Sequence, residues 1–151
     1  FEVPSAQWLQ TNLVEMAGGV PVWKGAAKGG GWVTVNLEQI AAWDPEIIFI
    51  IKYSGSSEEI AGKLLIAPIW KQLDAAKRGN IYGFPEDFIS WDQPDTRWIL
   101  ALKWLAKKIH PALFESMNCL DEVRKFYTDF YGLDETVIKK SIYPMITGDI
   151  E

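Results

Sequence analysis

Hydrophobic positions along the chain alternate between helical and strand-like spacing. Leu9, Leu13, Met16 and Ala17 fall at i, i+4, i+7 and i+8, which predicts a first helix with Ser5 available as its cap. Gly18-Gly19 ends that helix, because glycine tolerates a left-handed exit. Val20 to Trp23 reads as a short strand and Lys24 to Gly31 as a flexible loop. Asn36 opens a second helix with Gln39 three residues on, a variant of the capping box, and Pro45 stops it. Ile47-Ile-Phe-Ile-Ile51 follows, short, β-branched and bounded by turn residues; it predicts a strand buried on both faces.

The second half continues the pattern. A turn at Ser54 to Ser57 leads to a helix over 58–65, and a further helix is expected over 69–76. Asn80 to Phe84 is the next strand candidate. After the loop 85–95 comes an almost wholly apolar helix over 96–109, with Lys103, Lys107 and Lys108 as its polar stripe and Pro111 as its stop. Asp121 is expected to cap another helix, carrying Val123, Phe126, Tyr127, Phe130 and Tyr131 to an exit at Gly132. A last helix is expected over 134–143. Helices alternating with strands mark an α/β layer fold.

Composition narrows this further. With 151 residues, 48% hydrophobic and eight Trp, the chain suits one domain with a substantial core. A net charge of −5 argues against a nucleic-acid partner, which calls for a basic face. The single cysteine, Cys119, excludes an internal disulfide framework and a multi-cysteine zinc site. No apolar run reaches the roughly 18 residues of a membrane span. No signal-peptide pattern is present and the chain starts at Phe1, so it reads as a fragment.

Catalytic chemistry has little to stand on. His110 is the only histidine and sits before Pro111 at a helix end, where a cation complements the helix dipole. Gly29-Gly-Gly31 lacks the Lys-Ser/Thr of a phosphate loop and the spacing of a dinucleotide fingerprint. Glu58-Glu59 reads as solvated helix surface. No cofactor and no metal site are expected, and the chain is read as a non-enzyme.

Four stretches together carry a family signal: Gly31 to Ile50 (aromatic, short strand, capped helix with Glu, Asp-Pro, apolar strand), Gly79 to Pro85, Trp91 to Pro111, and Val123 to Gly132. In this order and spacing they resemble the carboxy-terminal lobe of substrate-binding proteins of ABC importers for iron-siderophores, haem and cobalamin. That resemblance implies a mostly parallel Rossmann-like sheet flanked by helices, residues 1–151 forming one lobe of a two-lobed periplasmic-binding-protein fold. It implies a periplasmic or cell-surface-anchored location, an ABC permease and an absent amino-terminal lobe as partners, and an iron chelate, haem or corrinoid as ligand.

Site residues follow from it. Trp32 matches an indole presented to the ligand, a large rigid face at low entropic cost. Glu38 matches the carboxylate that docks on an arginine pocket of the permease, and also suits the first turn of a helix. Asp87 and Trp91 fall where cobalamin receptors place an Asp and an Arg; Trp91 departs in type, which puts cobalamin itself in question. Trp32, Phe88 and Trp91 are expected as aromatic walls around a planar chelate. Tyr53, just past the carboxyl end of the apolar strand, either donates a phenol to the ligand or caps the core. Arg97 is a candidate anion clamp whose role in the family is joining loop to helix, and Asp92 is expected to cap the helix that follows. Lys24, Lys28 and Lys52 are further basic candidates. The rival readings are an α/β enzyme processing metal chelates and an interaction domain of the same fold.

Overall fold

The computed structural model describes all residues, 1–151. In chain order the regular elements are β1 (Glu2–Pro4), α1 (Leu9–Met16), β2 (Trp32–Thr34), α2 (Leu37–Trp43), β3 (Ile48–Ile50), α3 (Ser57–Ile66), α4 (Asp74–Lys77), β4 (Ile81–Gly83), α5 (Trp98–Ile109), α6 (Cys119–Tyr131) and α7 (Glu135–Val137). The α/β class is as expected. The parallel sheet is small: β3 pairs with β4 parallel, and β1 pairs separately with β2 antiparallel. Strand β1 had no counterpart in the sequence pattern, since Glu2-Val-Pro4 is too short to show a period.

Local chemistry explains the helix ends. Asn36 accepts from the Gln39 backbone N–H at 2.9 Å while the Gln39 side chain accepts from the Asn36 N–H at 3.0 Å, a complete capping box. Asp44 closes α2 in the left-handed region at φ 39°, immediately before Pro45. Helix α6 is capped by Asn118, whose Oδ1 accepts from the Asp121 N–H, so Asp121 is a first-turn residue and not the cap. Gly132 ends it at φ 65°, where a β-carbon would be strained.

Other expectations gave way to tertiary packing. Ser5 does not cap α1; it is buried, and its carbonyl accepts from Thr11 Oγ1 at 2.9 Å. Residues 20–23 form no strand but run into a turn over 22–26, with Pro21 denying a ladder donor and the Trp23 indole N–H bonding Thr11. The helix expected over 69–76 breaks into a 3₁₀ turn at Trp70–Gln72 and the short α4. Over 134–143, α7 gives way to a π-helical turn at Ile138–Ile142.

The main core gathers Leu13 of α1, Trp104 and Leu105 of α5, Val123 and Phe126 of α6, and Ile138 and Ile142 beyond. Trp104 is its centre: the ring meets Phe49 of β3 at 5.3 Å and Phe84 at 5.0 Å, both edge-on, and its N–H donates to the Asp149 carbonyl at 2.7 Å. A smaller cluster, with Trp70, Leu73 and Ile81, lies under α3. Helix α3 rests directly on β4: a β-carbon on Gly83 would stand 2.3 Å from the Glu58 nitrogen. On α5, Lys103 pairs with Glu122 of α6, and Lys108 lies 4.4 Å from the centre of the Tyr82 ring. His110 follows α5 as its cap, with its imidazole against Gly18.

Replacing Trp104 by Ala removes two edge-on ring contacts and leaves the Asp149 carbonyl without its donor. The expected loss is about 3–5 kcal/mol of unfolding free energy, measured by urea denaturation, whereas Asn36→Ala should cost about 1 kcal/mol.

Candidate functional site

Strand β3 ends at Ile50, and the chain turns out of the sheet through Ile51 and Lys52 to Tyr53. Carboxyl ends of parallel strands are where α/β layers present ligand-binding groups. Three aromatic rings meet there. Trp32 of β2 stands edge-on to Trp8 at 5.7 Å, and edge-on to Tyr53 at 6.3 Å. Trp32 is half-buried and Tyr53 keeps 52% of its surface exposed, so the rings form a wall open to solvent.

A buried carboxylate fixes this wall from behind. Asp92 has no exposure and no cation within salt-bridge distance. Its Oδ2 accepts from the Tyr53 hydroxyl at 2.7 Å and from Gln10 Nε2 at 2.9 Å; its Oδ1 accepts from Ser90 Oγ at 2.5 Å. Asp92 therefore ties together the segment after β3, helix α1 and its own loop, and it does not cap α5. Burial, and then the neighbouring Asp92, push the Tyr53 phenol well above its ordinary pKa. Of the two roles open to Tyr53, its hydroxyl takes the inner one, spent on Asp92, while the ring keeps one edge toward solvent. Trp8 and Gln10 went unnoticed in the sequence because neither lies near a motif; only the fold sets α1 beside this rim.

The loop from Pro85 to Arg97 behaves differently from expectation. The Asp87 side chain is fully enclosed, accepting from Arg97 Nε at 2.7 Å and from the Tyr127 hydroxyl at 2.6 Å. Arg97 also binds Asp95 at 2.6 Å, and this pairing holds its guanidinium firmly charged despite partial burial. Trp91 is 1% exposed and belongs to the main core. Asp87, Trp91 and Arg97 are corrected accordingly: an ion pair and an indole inside the molecule clamp the loop onto α6 and offer no face to a ligand. The reason lies in the neighbourhood, since Tyr127 of α6 supplies a donor to Asp87 and a ring beside Arg97. The Trp91 N–H has no hydrogen-bond partner among protein atoms. Phe88, at 53% exposure, stays outside at the loop tip with Ile89.

A cavity of about 680 Å³ lies between the two strand pairs. Eighteen of its 24 lining residues are hydrophobic, among them Val3, Ile47, Phe49, Ile51 and Trp70. Trp32 and Tyr53 stand at its wall together with Lys52 and Gln10. Lys24 instead pairs with Glu15, and Lys28 is exposed on its loop. Glu38, in the first turn of α2, is exposed and makes no ion pair. No group of three or more His, Cys, Asp and Glu side chains is placed to hold a bare metal ion.

With this geometry in place, comparison with known proteins is informative. The sequence model of the periplasmic binding protein family matches residues 3–88, more than half the chain. The chain belongs to that family. Within it, the chain is 27% identical over 120 residues to the molybdate-binding protein MolA of Haemophilus influenzae, covering 79% of this chain and 33% of that protein. A periplasmic solute binding protein of Veillonella parvula superposes with a TM-score of 0.72 at 27% identity, over 93% of this chain and 43% of the other. Helicobacter pylori CeuE with Ni(II) bound superposes with a TM-score of 0.76 over 94% of this chain and 45% of the other; at 23% identity it establishes the fold alone. The chain thus spans about a third of its curated relative and under half of these solved structures. No helix is long and apolar enough to cross a membrane.

Two phenols lie on buried carboxylates, Tyr53 on Asp92 and Tyr127 on Asp87, and burial first and the carboxylate second raise both pKa values. A raised folded pKa gives stability that is fully present below the unfolded value of about 10 and is lost as pH rises through the folded value. Stability should therefore fall steeply at strongly alkaline pH. Tyr53→Phe/Tyr127→Phe should be weaker at pH 7 but lose less further stability above pH ~10, as followed by circular dichroism.

Proposed function

We propose that this chain is the carboxy-terminal lobe of the solute-binding component of an ABC importer, working outside the cytoplasmic membrane. The observation that carries the reading is the open aromatic wall of Trp32, Tyr53 and Trp8 at the carboxyl end of β3, in a member of the periplasmic binding protein family. Rigid aromatic faces give contact area at small entropic cost, and Asp92 pre-organises one of them. Binding alone, with no acid/base step, is what such a wall performs.

The solute class we favour is a metal already wrapped in its own ligands: an iron-siderophore, haem or corrinoid-like chelate. Aromatic planes at Trp32 and Tyr53, with Phe88 exposed on the neighbouring loop, suit a chelate's organic shell better than a naked ion, for which the side-chain donors are missing. A second reading is favoured by one observation, the 27% identity to a molybdate-binding protein: a small oxyanion held at the same mouth, with Lys52 beside it. In both readings a second lobe supplies the rest of the contacts, so this chain alone should bind weakly.

Glu38 we assign to docking. It is exposed and unpaired in the first turn of α2, two residues after the Asn36 cap, free to meet an arginine pocket on a permease.

Tryptophan fluorescence of the full-length protein, titrated with a ferric siderophore, haem, cobalamin, Ni(II)-histidine and molybdate, tests the reading. Quenching by a chelate, weakened about tenfold or more by Trp32→Ala, is expected for a stacked ring worth 1–2 kcal/mol. Response to molybdate alone would favour the oxyanion, and no response to any would overturn solute capture. Glu38→Arg should leave that titration unchanged and abolish uptake in cells; a change in solute affinity would remove Glu38 from the docking role.

A further inference from the structure

Residues 147–149 belong to no helix or strand, yet every backbone group in them is engaged. The Glu86 N–H donates to the Thr147 carbonyl at 3.2 Å, and the Thr147 N–H donates to the Glu86 carbonyl at 3.0 Å. Two residues on, the Asp149 N–H donates to the Gly83 carbonyl at 2.9 Å, and Asp149 Oδ2 accepts from the Gly83 N–H at 2.5 Å. The Gly148 N–H donates to Glu58 Oε2 of α3 at 2.9 Å, and the Gly148 carbonyl accepts from the Ile150 N–H. The Asp149 carbonyl takes the indole N–H of Trp104, at the centre of the core. Complete pairing of this kind marks a built element and not a loose segment.

Gly148 lets the segment seat. Its φ is 92°, and a β-carbon there would stand 2.7 Å from the Phe84 carbonyl oxygen and 2.7 Å from Pro85 Cα. Any other residue would meet both backbone strain and a backbone clash. What the segment rests on is the root of the loop 85–97. On its other side Glu86 is bridged to Ser90, with the Asp87 N–H on the Ile89 carbonyl at 3.3 Å and the Trp91 N–H on the Pro85 carbonyl at 3.2 Å. These bonds close a tight turn whose tip, Phe88-Ile89, is exposed. Ser90 in turn donates to Asp92, which holds Tyr53. Contacts therefore run without a break from Thr147 through Glu86, Ser90 and Asp92 to the aromatic wall. Asp87 clamps the loop toward α6 by its side chain, but only Thr147 takes the outward backbone groups of Glu86.

We propose that residues 147–149 are a positioning strap for the solute site. By fixing Glu86 they set where Phe88 and Ile89 stand against a bound solute, and Gly148 is the residue on which the seating depends. The inference rests on reading the Trp32–Tyr53 wall as the solute mouth. Phe88 is the contact; the strap acts through it.

Gly148→Ala in the full-length protein tests this, with amide hydrogen exchange and solute titration read on the same variant. Exchange should quicken at least about tenfold at Thr147 and Asp149, the scale of one lost hydrogen bond. It should quicken also at Glu86, Asp87 and Trp91, while Leu105 in α5 keeps its protection. Affinity for a ferric siderophore, read by tryptophan quenching, should fall about tenfold, the scale of one ring contact. In a Phe88→Ala background, Gly148→Ala should cost no further affinity, because both changes remove the same contact. Loop amides that stay protected once Thr147 and Asp149 are freed would overturn the proposal, with or without a solute. So would an equal loss of affinity in the presence and absence of the Phe88 ring. If the unaltered protein showed no quenching, the chelate reading would fall, and exchange alone would still decide whether the strap holds the loop. Should Gly148→Ala fail to fold, Asp149→Ala removes the acceptor of the Gly83 N–H and should free the same amides. Asp149→Asn keeps an acceptor oxygen and should restore their protection.

Discussion

A carboxylate buried without a cation is an expensive group, and Asp92 is affordable only because three donors converge on it. Each donor comes from a different part of the chain: Tyr53 from the turn after β3, Gln10 from α1, Ser90 from the loop itself. Satisfying Asp92 therefore fixes the mutual position of those parts, and with them the aromatic wall. Tyr53 cannot swing into solvent without stranding part of the carboxylate, which is a stronger restraint than ring packing alone. The neighbouring Asp87 repeats the device with a cation, Arg97, and with a second tyrosine, Tyr127 of α6. Together the two carboxylates attach the loop 85–97 to α1, to α6 and to the turn after β3.

Much of this fold was legible where the signal is local. Capping at Asn36, the stop at Pro45, the apolar helix α5 and the glycine exit at Gly132 each depend on a few adjacent residues, and each stands where the pattern put it. Strand pairing is a long-range choice, and there the pattern misled. An apolar run at 47–51 reads as a strand covered on both sides, yet it stays half-buried along the cavity. Short strands such as Glu2–Pro4 have no period to read at all.

The site divides in the same way. The place of Tyr53 was legible because it follows the apolar strand directly, and that of Trp32, its edge-on neighbour, came from the resemblance. Asp87 and Trp91 were read as facing a ligand from the family resemblance, and Arg97 as an anion clamp or a loop-to-helix join, but direction is set by α6, some thirty residues further along. An aspartate beside a buried tyrosine and an arginine is drawn inward by the combined gain of two charge-assisted bonds. Sequence spacing carries no record of which helix will arrive there.

The arrangement of Trp32, Glu38 and Ile47–Ile51 then has a physical logic. Only a few residues separate the ring at the mouth from the exposed acid, and the capping box at Asn36 makes the turn between them rigid. Trp32 belongs to β2 and Glu38 to α2, and in the function proposed above a load on either would pass through that one stiff joint. The apolar strand behind them is the anchor. Its free edge leaves the two strand pairs joined by ring contacts at Phe1–Trp70 and Trp32–Tyr53 but by no ladder. Edge-on ring pairs add only about 0.5–1.5 kcal/mol each beyond their buried area, far less cooperative than a continuous row of backbone bonds. Rigidity at the mouth must then come from Asp92, whose three donors tie the turn after β3 to α1 and to the loop.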